Sequence, residues 1–273
     1  MTGESIQIAK ISEPEIQIGD DIDALRILCQ RTMKVAVPMP TLSKRDDRYG
    51  TYLLLFVERL RSHLSKVLSI SPAKESWLIA RSSMEGAALI KWMSEDPGNN
   101  SENFRILSWK SLYNHCLRNA EDIGVPLVDQ SLFKLIEHEL LKSGILSPAE
   151  LNSFKNRQPL TVRMPKSLVN DTPRNFLVSS FTAYDTAVYW DHFTEFHHWN
   201  PRTLEGLVML DSSVRYSEKD DEAGARPIEA SLLSLLTGLR SLNEYFKLDL
   251  DSTLTELQQE FEVGRKNTPL WLY

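Results

Sequence analysis

Hydrophobic positions in this chain recur every three or four residues over most of its length, a period that predicts helices rather than strands. The clearest run is Arg48 to Ile70, where Tyr52, Leu55, Phe56, Leu60, Leu64, Val67 and Leu68 fall on one side. Ser71-Pro72 then reads as a cap and first helical position, starting a helix that runs to Glu95. Trp77, Leu78, Ile79, Ala80, Met84, Ala87, Ala88, Leu89, Ile90, Trp92 and Met93 leave that helix few solvent positions, so it is expected at the centre. Asp96-Pro97-Gly98-Asn99-Asn100 marks its end.

The same period predicts helices over 21–35, capped by Asp20 or Asp21, over 101–122, and over 129–142. A short one follows Ser147-Pro148-Ala149-Glu150. One more runs from Thr172-Pro173 to about His198, and another short one covers 202–211. Amphipathic helices over 228–248 and 252–263 finish the chain. Residues 1–20 alternate around Pro14 and are expected as an extended arm on the helical body. Residues 155–173 hold prolines and no stripe, and 211–227 are polar and acidic; both read as connections. The expectation is an all-α, irregular helical bundle, a single domain over 21–273 with a possible internal linker at 155–173.

Composition narrows the function more than the fold. A net charge of -6 over 273 residues gives no broad basic face for nucleic acid or an anionic membrane. A local basic cluster exists, with Lys155, Arg157, Arg163, Lys166 and Arg174 against Asp171. Two cysteines, Cys29 and Cys116, sit in apolar helical patterns and read as buried thiols. The first residues lack a signal-peptide pattern, and no apolar run approaches the roughly 20 residues that span a bilayer. A cytoplasmic protein without a membrane partner is expected.

Phosphate-cradling glycine loops are absent, as are C-x-x-C, H-E-x-x-H and G-x-S-x-G, so no cofactor and no common zinc or serine-hydrolase signature is predicted. The chemistry-bearing residues gather instead in two places. Tyr184 to Arg202 crowds aromatics and histidines together, and Asp191, His192, Glu195 and His198 share a helix face at metal-ligand spacing. A third or fourth ligand has no identifiable source, so no metal site is assigned and a metal-dependent hydrolase is the least favoured reading. Trp190, Phe193 and His197 form the row expected to face the core.

Arg81 and Glu85, four apart on the central helix, are the second place. Charges there need partners, because breaking a buried pair costs roughly 3–5 kcal/mol. Candidates are each other, Arg105, or the ridge of Asp191, Thr194, Glu195 and His198. The arrangement is either a structural ion pair joining helices or a ligand or catalytic pocket.

The segments ARSSMEGAALIKWMSEDP, FRILSWKSLY and YWDHFTEFHHWNP together resemble a group of prokaryotic helical proteins of the HEPN-like kind. Their pattern of an Arg-x-x-x-Glu helix, an aromatic helix ending near Asp-Pro, and a late Tyr…Ser/Thr-x-x-x-His segment falls here on Arg81, Glu85, Trp92, Asp96, Tyr189, Thr194 and His198. The match covers roughly 75–210. The resemblance implies a helical bundle acting on RNA or a nucleotide in phage defence or a stress response. It also implies an Arg and a His acting around a scissile phosphate. Arg59 and His63 have only three residues between them, so the pair would be split between Arg81 and His198. The expected site is therefore Arg81, Glu85 and His198 as catalytic groups, with Asp191, Thr194, Glu195, Arg105 and Trp92 binding. The alternative is a helical protein-protein interaction module, or a homodimer, in which these residues are a structural network.

Overall fold

The computed structural model describes residues 18–37, 47–71, 73, 75–105, 130–142, 147–149, 152, 177, 181–182, 185–191, 207–210, 213–216 and 225–267. The basic cluster at 155–174, the linker, most of the N-terminal arm, Cys116 and the tail after 267 lie outside the described residues. Six α-helices have full bounds: α1 (Ile18–Met33), α2 (Arg48–Ile70), α3 (Glu75–Glu95), α4 (Gln130–Lys142), α5 (Ala225–Phe246) and α6 (Asp251–Asn267). Residues 97–105 are also helical. A π-helix occupies Thr186–Asp191, and strands β1 (Leu207–Leu210) and β2 (Ser213–Tyr216) make a hairpin. The fold is an all-α bundle with that one hairpin among the described residues.

Its core is a three-helix unit in which α5 packs on both α3 and α2, and α2 packs on α3. Gly238 marks a close approach of α5 to both α2 and α3. A Cβ there would stand 3.0 Å from Leu60, 3.3 Å from Val57 and 3.4 Å from Ile90, so an added methyl would have to push side chains of two other helices aside by a few tenths of an ångström. Leu53, Val57, Leu64, Ala80, Met84, Ala87, Ile90, Leu235 and Leu239 fill the interior. Outside this unit α1 lies against α5 and α6. Arg31 reaches from α1 to Glu256 at 2.8 Å and Glu260 at 2.5 Å on α6.

The sequence pattern placed α3 at the centre, but α5 is more thoroughly enclosed: every residue from 227 to 236 is buried. Serines made α5 look amphipathic. The Ser234 hydroxyl is satisfied within the helix, donating to the Ala230 carbonyl at 2.7 Å, and so enters the core at little cost, whereas the buried Ser231 hydroxyl has no partner among the described residues. Asn243 then closes the helix, accepting from the Leu250 amide and donating to Asp251, each at 2.9 Å. The turn holds Lys247 at φ 53° and Asp249 at φ 59°, in the left-handed region.

Several boundaries differ from expectation for local reasons. Helix α1 begins at Ile18, before the expected caps Asp20 and Asp21. Ser71 ends α2 rather than opening α3, its amide bonding the Val67 carbonyl. Asp96 caps the helix that follows α3, its carboxylate taking the Asn99 amide at 3.3 Å, so Pro97 opens that helix instead of marking a loop. The helix expected from 172 to 198 is interrupted at Phe181–Thr182. The short helix expected over 202–211 is a strand at Leu207–Leu210, paired antiparallel with Ser213–Tyr216 in the register Leu207 to Tyr216 and Leu210 to Ser213. A four-residue apolar run such as LVML carries too little periodicity to choose between helix and strand.

Candidate functional site

Thr182 starts the segment that makes the site. Its hydroxyl donates to Asp185 Oδ2 at 2.6 Å and accepts from the Asp185 amide at 3.0 Å, a capping pair three residues apart. Thr186 Oγ1 bonds back to the Thr182 carbonyl at 3.0 Å. Asp185 and Thr186 are both buried, so the entry to the π-helix is sealed and satisfied. The π-helix packs against α3 and α5. Such wide turns are rare and concentrate at functional sites.

Two consecutive aromatics of the π-helix donate to carboxylates on two different helices. The Tyr189 hydroxyl donates to Glu229 Oε2 on α5 at 2.8 Å, with both residues buried. The Trp190 indole N–H donates to Glu85 Oε1 on α3 at 3.3 Å. Arg81, one turn before Glu85, donates from Nε to the same oxygen at 3.1 Å. Its guanidinium carbon stands 5.3 Å from the centre of the Trp190 ring. Arg81, Glu85 and Trp190 therefore close a triangle in which the cation is both stacked and hydrogen-bonded.

Exposure within the triangle is uneven. The Arg81 side chain keeps 17% of its surface and the Glu85 side chain 45%, so the site opens to solvent on the carboxylate side. An ion pair that open contributes about 0.5 kcal/mol or less. A desolvated cation over an indole contributes up to about 2 kcal/mol, so stacking on Trp190 sets the position of Arg81. The Arg81 Nη1 atom is buried and has no hydrogen-bond partner among the described residues.

The other expected site residues are distributed differently. Asp191 ends the π-helix, and its side chain lies outside the description, as do Thr194, Glu195 and His198 in full. The expected convergence of Arg81 and His198, and the ridge carrying His192, thus fall outside the described residues. Among those described, no group of three or more His, Cys, Asp or Glu side chains is arranged to hold a metal. Trp92 is 3% exposed in the hydrophobic core, and its carbonyl accepts from Asn100. Arg105 grips Glu102 with two bonds at 3.0 and 2.6 Å, which raises its pKa above the ordinary value. Arg48 pairs with the same Glu102, and Glu139 of α4 lies 4.0 Å from Arg105, so this arginine joins helices in a charge chain.

A second polar seam crosses the α2–α3 contact. Arg59 Nε donates to His63 Nε2 at 3.4 Å, and His63 Nδ1 is 3.1 Å from Ser83 Oγ. Ser83 itself donates to the Ile79 carbonyl at 2.9 Å, so its oxygen accepts from a His63 protonated at Nδ1. Burial, then the adjacent Arg59, lowers the His63 pKa and keeps the ring neutral.

Sequence reasoning paired Arg81 with Glu85 but missed Glu229 and assigned Trp190 to packing alone. A signal for Glu229 was present: one acid flanked by Ile228 and Ala230 at the head of a long apolar run. The Thr182-x-x-Asp185 capping pair was also legible. Among the described residues no helix is long and apolar enough to cross a membrane. No family model, curated protein or solved structure matches this chain.

Proposed function

We propose that this chain is a bacterial cytoplasmic protein of the HEPN-like kind, of a phage-defence or stress-response type, that engages RNA or a nucleotide through Arg81, Glu85 and Trp190. The observation that carries the reading is the state of Arg81. Its guanidinium is pre-positioned by Trp190 and Glu85, yet Nη1 has no partner among the described residues. A planar cation held this way suits a phosphate oxygen, because the ordering cost is met before the ligand arrives. In this reading Glu85 holds the cation and His198 is the acid or base.

The test is titration of the purified protein with a 5′-phosphorylated single-stranded oligoribonucleotide and with AMP, followed by gel analysis of the RNA. Binding is expected, with Arg81→Ala weakening it at least tenfold and His198→Ala abolishing cleavage, while melting temperatures stay within a few degrees. Unfolding of both variants without any binding phenotype overturns the reading. The alternative, a non-catalytic interaction module, is favoured by one observation: Glu85 Oε1 already accepts from both Arg81 and Trp190, as a purely structural junction would.

A further inference from the structure

We infer that Glu229 is the positioning residue of this site, acting through Tyr189 to hold the π-helix so that Trp190 lies over Arg81. Glu229 sits in the fully buried stretch of α5 and is 5% exposed. A carboxylate there is costly to desolvate, and a core position alone gives no reason to place one. Glu229 accepts from the hydroxyl of Tyr189, 1% exposed, at 2.8 Å. The next residue in the chain, Trp190, carries both the stacking face for Arg81 and the donor to Glu85.

The π-helix gives this bond its leverage. Six residues wound with a wide turn are not held by helix propensity, and the register in which they dock decides which side chain meets α3. Tyr189 on α5 and Trp190 on α3 pin that register from two sides, so Glu229 and Glu85 work as a pair of anchors on separate helices. Loss of the Glu229 anchor frees the π-helix to rotate, and Trp190 leaves Arg81. Glu229 acts on Arg81 through the π-helix.

The connection to ligand binding rests on the function proposed above, whereas the positioning does not, and one experiment separates them. The protein is labelled with nitrogen-15 tryptophan, the Trp190 indole signal is assigned by its loss in Trp190→Phe, and affinity is measured with the same oligoribonucleotide and AMP. Tyr189→Phe and Glu229→Leu are expected to move the Trp190 indole resonance away from its hydrogen-bonded position and to weaken binding about tenfold. Glu229→Gln keeps an acceptor oxygen and is expected to retain both. The double variant Tyr189→Phe/Glu229→Leu replaces the polar pair with an apolar one, so it regains thermal stability but not the Trp190 signal. An unmoved Trp190 signal in folded Tyr189→Phe and Glu229→Leu overturns the inference, as does recovery of the signal in the double variant. A moved signal in a protein that binds neither probe upholds the positioning and removes the proposed function.

Discussion

Two sides of α3 are built on opposite principles. In the core shared with α2 and α5 it places Ala80, Met84, Ala87 and Ile90, all completely buried, beside the single Ser83–His63 bond described above, and a Cβ at Gly238 would come within 3.0 Å of Leu60. Toward the π-helix it presents Arg81 and Glu85, partly exposed and bound to an indole. The first side gains from apolar area and tolerates no gap. The second depends on direction: a change of register there costs little area but loses every donor and acceptor match. The apolar seam is held by area, the polar one by the direction of its donors and acceptors.

Substitutions on the two sides of α3 have different expected consequences. Met84→Ala leaves a cavity in the apolar seam and is expected to cost about 2–5 kcal/mol in denaturant unfolding, with affinity for any ligand of the polar side unchanged. Trp190→Phe keeps an aromatic face for Arg81 but removes the donor to Glu85. It is expected to cost about 1–2 kcal/mol and to weaken oligoribonucleotide binding, and an unchanged affinity would place the ligand elsewhere. Away from both seams, Lys247→Gly relieves a left-handed backbone and is expected to add about 1 kcal/mol to stability, with no change at the site.

The smallest expected effect concerns pH. His63 lies at the α2–α3 contact with Arg59 and Ser83 facing it, and its folded pKa is lowered from 6.5 by burial first and Arg59 second. The unfolded chain therefore takes up the proton more readily. The contribution of neutral His63 is complete above about pH 6.5 and is lost as pH falls through the lowered folded value. Unfolding midpoints measured at several pH values from 7.5 to 5 should fall with acid, and His63→Gln should flatten that slope. An equal slope in the variant would assign the loss to other groups.

Much of the helical frame was legible in the chain. The span of α2 follows from periodicity, the end of α3 from the Asp96-Pro97-Gly98 breaker, and Arg81 with Glu85 from their spacing. The boundaries that moved did so because a capping group can face either way: Ser71 closes one helix where it was expected to open the next, and Asp96 opens one where Pro97-Gly98 suggested a stop. The π-helix was not legible because its extra residue leaves no mark in the hydrophobic pattern, and the hairpin at Leu207–Tyr216 was not because its strands are only four residues long. Glu229 was marked only by its apolar neighbours Ile228 and Ala230. A single acid in an amphipathic-looking helix reads as solvent-facing until a donor for it is known.

Local periodicity by itself determined that this chain makes helices, roughly where they start and stop, and that an Arg and a Glu lie one turn apart on α3. That information is carried by neighbours within a turn, where spacing is geometry. Which helix is innermost, and what meets Arg81, were decided only when segments more than 100 residues apart came together, as Trp190 does with Glu85. A hydrogen bond across that separation depends on the angle at which two elements dock, and no local pattern encodes it. The chain specified the cation and its carboxylate; the tertiary structure supplied the indole that orients them and the buried Glu229 behind it.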